Sequence, residues 1–188
     1  DELMKIMKRD ARQRLKKIKN NIKYEIVTPH VSEEFIRHYT RISEVNNFTQ
    51  KYRFTSEQLI GFSKITNINY IELKSDEDFI AGGLFGVNDN EVDYLYGANN
   101  PKFNDSIRLL IWNSVKYFKG KGCEKLFLGG GINEGDSLSY FKSRIGTYEQ
   151  KCQTIMAILN KEKAEHYAKK IINNEWFHSF FPSYQEDL

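Results

Sequence analysis

DYLYGANNPKFNDSIRLLIWNSVKYFKGKGCEKLFLGGGINEGDSLSYFKSRIG, residues 93–146, holds the pattern that decides the fold. DYLYGA reads as the end of a strand that starts near Glu91. After Asp105, the apolar residues Ile107, Leu110, Ile111, Val115 and Phe118 recur at helical spacing, and Gly120 and Gly122 stop the helix. KLFLG, residues 125–129, is a second strand, closed by the run Gly129 to Gly131, and DSLSYFKSRIG is a short helix. A strand, a crossover helix and a second strand imply two parallel neighbours joined in the right-handed sense.

Upstream, three strands are predicted at 68–74, 79–87 and 91–98, separated by SDED and by Asn88-Asp89-Asn90. Gly82-Gly83 inside the second marks a bulge or a close backbone approach. Thr55 and Gln58 have capping-box spacing ahead of Leu59, Phe62 and Ile65, so a helix starts there. Val31, Phe35, Tyr39 and Ile42 form the apolar stripe of another helix, and 24–27 reads as a short first strand. Downstream, a late strand at 153–159, a late helix at 161–173 and an aromatic tail, EWFHSFFPSYQEDL, are expected.

The chain of 188 residues is 40% hydrophobic and 14% aromatic, enough for one α/β domain with a sizeable core. No apolar run reaches the ~18 residues of a membrane span, and the N-terminus is charged where a secretory signal carries its apolar segment. The sequence therefore reads as cytoplasmic. Cys123 and Cys152 form no Cys-x-x-Cys pair, and no metal site is indicated. His30, His38, His166 and His178 do not cluster in sequence.

The net charge of +3 hides an asymmetry. Residues 1–23 carry nine Lys or Arg against three acids, so the remainder is net acidic. Within this segment Met4, Met7, Ala11, Leu15 and Ile18 stack on one helical face, while Arg9, Arg12, Lys16 and Lys19 cover another. Such a local patch points to an anionic partner, tRNA or a nucleotide-linked precursor.

Tyr96-Gly97-Ala98, Gly129-Gly130-Gly131 and the Phe141-Lys142 pair before Ile145-Gly146 resemble the GCN5-related N-acyltransferase (GNAT) superfamily, and within it the FemABX branch. The resemblance implies a mixed central sheet flanked by helices, with the basic helix over 1–22 as an extra element and 23–188 as the acyltransferase domain. It further implies the C-terminal half of a longer two-half enzyme, the acceptor lying between halves.

By the same resemblance the strands at 91–98 and 125–129 splay apart, and the acyl donor lies in the notch. Gly97, Ala98, Asn99, Gly129, Gly130, Gly131 and Phe141 would line it, their backbone N–H groups facing a developing oxyanion. Lys142 occupies the position where ordinary family members keep a tyrosine that protonates the leaving group, and the resemblance implies that here the lysine acts first as a cation that stabilises the charged intermediate. Asp136 and Tyr96 are the accompanying catalytic candidates, with Asp93 and Glu134 nearby. ANNPKFNDS lacks the glycine-rich loop of acyl-CoA enzymes, which counts against coenzyme A and leaves the donor open between acyl-CoA and aminoacyl-tRNA. The implied activity is N-acyl transfer to an amine of a cell-wall or surface-polysaccharide precursor. The alternative is a noncatalytic half that binds a partner.

Overall fold

The computed structural model describes residues 2–28, 30–75, 78–131, 135–150, 159–160 and 162–163. Residues 1–149 form one compact unit and 150–188 a second. Apart from residues 159–160 and 162–163, the expected late strand, late helix and aromatic tail lie outside the described residues, as do Glu134, Cys152, His166 and His178.

Within residues 1–149 the order is α1 (Glu2–Ile6), α2 (Arg9–Asn21), β1 (Glu25–Val27), α3 (Glu33–Val45), a 3-10 turn at Gln50–Tyr52, α4 (Ser56–Ser63), β2 (Ile68–Lys74), β3 (Phe79–Asn88), β4 (Glu91–Asn99), α5 (Ser106–Gly120), β5 (Lys125–Phe127) and α6 (Ser137–Ile145). The strands make one mixed sheet in the order β1-β2-β3-β4-β5. The first three pairings are antiparallel and β4–β5 is parallel, as a crossover through α5 requires.

Local chemistry sets several boundaries. The Thr55 side chain accepts from the Gln58 amide at 3.3 Å while the Gln58 side chain accepts from the Thr55 amide at 2.8 Å, completing the capping box. Gly82 answers to close approach: a Cβ there would lie 2.6 Å from the Tyr70 hydroxyl and 2.9 Å from the Phe35 ring.

Alternation along the strands splits the core between the two faces. On one face Ile71, Leu73 and Phe85 pack with Leu109, Leu110 and Phe118 of α5 and Ile145 of α6. On the other, Tyr70 and Leu84 pack with Phe35 and Tyr39 of α3 and Leu59 of α4. The basic segment joins the first cluster, because Met4, Met7, Ala11, Leu15 and Ile18 are all buried in it. It is broken into α1 and α2: Lys8 is extended (φ −59°, ψ 146°), and its amide donates to the Arg144 carbonyl of α6 at 3.4 Å.

Since Leu15 is fully buried and Lys16 exposed, Leu15→Ala should lower the unfolding free energy by about 2–5 kcal/mol. Lys16→Ala should change it by less than about 0.5 kcal/mol. Chemical denaturation of both variants checks this, and a neutral Leu15→Ala would mean that the basic helix is an appendage.

Candidate active site

The decisive local event is a slip in the β3–β4 ladder. Tyr94 pairs with Phe85 and Tyr96 with Leu84, so Leu95 is an extra residue on β4, a bulge. Two tyrosines two residues apart would ordinarily share a face. Here the extra residue sends Tyr94 against Phe85 on the α5 side and Tyr96 against Tyr39, Phe54 and Phe62 on the α3–α4 side.

The parallel ladder stops at the same level. Glu91, Val92 and Asp93 pair with Lys125, Leu126 and Phe127, and among the described residues no β4–β5 pairing continues past Asp93. β4 itself continues to Asn99 on β3. Among the described residues the β5-facing side of 94–99 thus has no strand partner, which leaves a gap between it and the segment 128–131 that follows β5.

Gly97 is required on this edge, because a Cβ there would collide with the Tyr94 hydroxyl. Tyr94 is half-buried, and desolvation of its phenol pushes its pKa up. Ala98 is fully buried among the α3–α4 residues, so only its backbone can face the gap. The Asn99 side chain donates to the Asn100 carbonyl at 3.3 Å, and Asn100 in turn accepts the Lys102 amide at 3.1 Å, which ties the loop to itself.

Across the gap, Gly129 has φ +69°, a conformation natural to glycine. Gly130 and Gly131 are exposed. The Lys142 ammonium donates to the Gly130 carbonyl at 2.7 Å and would be 3.6 Å from a Cβ at Gly129. Burial pulls the Lys142 pKa below the ordinary lysine value, and the charge of Asp136 opposes that shift. The Asp136 carboxylate accepts the Ser139 amide at 2.6 Å as the N-cap of α6 and lies where a Gly131 side chain would be. Phe141 lies beneath the Arg108 guanidinium, 4.9 Å from its ring centroid.

Lys142, Asp136 and the three glycines therefore meet at the β5–α6 junction. Tyr96 does not join them; it lies on the opposite face, in an aromatic cluster whose burial, together with Tyr52, raises its pKa. Asp93 is exposed at the last rung of the ladder. On α2, Arg9 and Lys16 are exposed, whereas Arg12 donates to the Lys5 carbonyl at 3.3 Å and Lys19 lies 6.0 Å from the Trp112 ring centroid.

Three features escape the sequence reading. Arg108 is 5% exposed and its Nη1 has no partner among the described residues. The buried carboxylate of Glu72 accepts from Ser32 at 2.6 Å and Tyr70 at 2.5 Å. Tyr94 covers Gly97. Only the last had a signal, the spacing Tyr94-x-Tyr96-Gly97, and strand periodicity alone misplaces it. Among the described residues no group of three His, Cys, Asp or Glu could hold a metal ion, and no helix is long and apolar enough to cross a membrane.

No protein-family model and no curated protein matches the sequence. Solved structures match in shape. An aminoglycoside acetyltransferase from an uncultured soil metagenomic sample, in complex with sisomicin, is 17% identical with a TM-score of 0.54, over 76% of this chain and 99% of that one. FemX is 15% identical with a TM-score of 0.60, over 79% of this chain and 56% of FemX. A ribosomal-protein-alanine N-acetyltransferase from Brucella melitensis biovar Abortus 2308 is 8% identical with a TM-score of 0.54, over 73% of this chain and all of that one. With the parallel β4–β5 pair and its open end, these likenesses give the chain the fold of the GCN5-related N-acyltransferase superfamily, FemX among its members.

Proposed function

We propose that the chain is an N-acyltransferase that moves an acyl or aminoacyl group from a thioester or a tRNA ester to an amine of a cell-wall or surface-polysaccharide precursor. The observation that carries this reading is the half-buried Lys142 ammonium on the glycine loop, beside the gap where the β4–β5 ladder ends. The shared fold of an aminoglycoside acetyltransferase and FemX supports it. FemX is matched over 56% of its length, which fits one half of a two-half enzyme holding its acceptor between halves.

In the proposed reaction the acceptor nitrogen attacks the acyl carbon, a C–N bond forms, and the carbonyl oxygen becomes an oxyanion facing the amides of 94–99 and 129–131. Collapse breaks the C–S or C–O bond, the leaving sulfur or oxygen takes a proton from Lys142, and the proton that the acceptor nitrogen sheds as it becomes an amide returns Lys142 to its ammonium form. A lowered pKa makes this ammonium a readier acid than a free lysine. Phe141 flanks the donor. Tyr96, kept a neutral phenol by its raised pKa, orients the acceptor from the other face, and Asp136 holds α6 by its cap.

Lys142→Met keeps the stem and removes the charge. Transfer should fall by roughly a hundredfold or more, with donor affinity altered much less. Because the protonated form is the active one, the parent rate should decline as pH rises through the lowered Lys142 pKa, below the ordinary lysine range, and Lys142→Met should lack that decline. Steady-state rates against pH with acyl-CoA and with an aminoacyl-tRNA analogue check both. Transfer at the parent rate by Lys142→Met would overturn the assignment.

The donor is separated by salt. If it is aminoacyl-tRNA, held along Arg9, Arg12, Lys16 and Lys19, replacing all four with Gln should weaken binding and flatten its dependence on salt concentration, since fewer counterions are released. Unchanged affinity and slope would leave acyl-CoA as the donor. Folding should be little affected, because these side chains lie off the buried stripe of α2.

A further inference from the structure

α6 is nine residues long, and Ile145 is its one buried residue among those described. A helix this short has little stability of its own, and its apolar anchoring is thin. Yet it carries Lys142, whose ammonium must stay at the Gly130 carbonyl. What fixes α6 comes largely from α2.

Arg144, two residues beyond Lys142, extends its guanidinium to Asp10 of α2. Its Nε donates to the two carboxylate oxygens at 3.0 and 3.2 Å, and Nη2 donates to Oδ1 as well. The Arg144 carbonyl accepts the Lys8 amide just before α2, and Ile145 belongs to the same buried cluster as Met4, Met7 and Ala11. On the other side of Lys142, Phe141 is covered by Arg108. Arg108 is bonded to Asp105 at 3.4 Å, and Asp105 pairs with Arg14 of α2 at 3.5 Å. The residues flanking Lys142 are thus tied on both sides to charges that lead back to α2, and a two-donor fork of this kind fixes orientation as well as distance.

We propose that Asp10 and Arg144 are positioning residues: their fork holds α6 so that the Lys142 ammonium stays on the glycine loop at the open end of the β4–β5 pair. The basic helix then serves the site through its one acidic side chain. The Arg144 hydrogen bond holds the Asp10 carboxyl below its usual range, so the fork persists at neutral pH. The catalytic meaning of the positioning rests on the acyl-transfer reading of Lys142; the mechanical coupling does not.

The test is competitive lysine acetylation with acetic anhydride across pH, read by mass spectrometry on the whole chain for parent, Asp10→Asn, Asp10→Glu and Arg144→Gln. Lys125 on β5, which bonds Glu91 at 2.6 Å, is the internal control. Asp10→Asn should shift the Lys142 titration upward toward that of free lysine and raise its limiting reactivity severalfold, as the ammonium leaves its half-buried position. Arg144→Gln should do the same from the other side of the fork, Asp10→Glu should retain most of the parent profile, and Lys125 should not change. A parent-like Lys142 profile in either charge-removing variant overturns the proposal. So does an equal change at Lys125, which would mean general loosening. Should Lys142→Met transfer at the parent rate while Asp10→Asn still shifts Lys142, the acyl-transfer reading fails and the coupling stands.

Discussion

One extra residue, Leu95, organises this molecule. A sheet strand that keeps its register presents alternate side chains to alternate faces and bonds both neighbours along its length. By inserting Leu95 against β3, β4 keeps its antiparallel partner through Asn99 while its parallel partner is lost after Asp93. The same insertion divides Tyr94 from Tyr96, so each core receives an aromatic ring that an unbroken strand would have given to one face alone. The open edge, the placing of the two half-buried tyrosines on opposite faces and the need for glycine at 97 follow from a single slip of register.

The glycine loop supplies the facing wall by a different economy of space. Gly129 takes a left-handed conformation, Gly131 leaves room for the Asp136 cap, and Gly130 offers a carbonyl to Lys142. Backbone approaches from one strand and a cation approaches from the short helix that follows it. Since that helix buries little, the charged contacts of Arg144 with Asp10 and of Arg108 with Phe141 set where it lies.

Much of this was legible in the sequence because it depends on local rules. The capping box at Thr55, the glycine stop of α5 and the strand–helix–strand order from Glu91 to Phe127 each follow from residue types at fixed offsets. The role expected of Lys142 rests on a resemblance, while its contact with the Gly130 carbonyl is a matter of packing that no local rule supplies. The bulge is not legible: Gly82-Gly83 marks a close backbone approach, while the register breaks opposite Leu84 and Phe85, where no residue type signals it. Nor could periodicity reveal that Arg108 on α5 is buried: Asp105 lies three residues before it at the N-cap of the same helix, but the Phe141 ring reaches it only from α6. The basic stripe looked uniform in sequence, but its members differ, Arg12 and Lys19 being engaged by a carbonyl and a ring while Arg9 and Lys16 face solvent.

The most direct measurement on the central claim is a backbone amide NMR titration of the protein with a nonreactive thioether analogue of an acyl-CoA and, separately, with an aminoacyl-adenosine analogue. The account predicts that at least one of them shifts the amides of 94–99 and 129–131 together while those of Glu91, Val92 and Asp93, bonded within the closed part of the ladder, stay where they are. Shifts confined to the α3–α4 face, or an unmoved gap under saturating concentrations of both analogues, would contradict it.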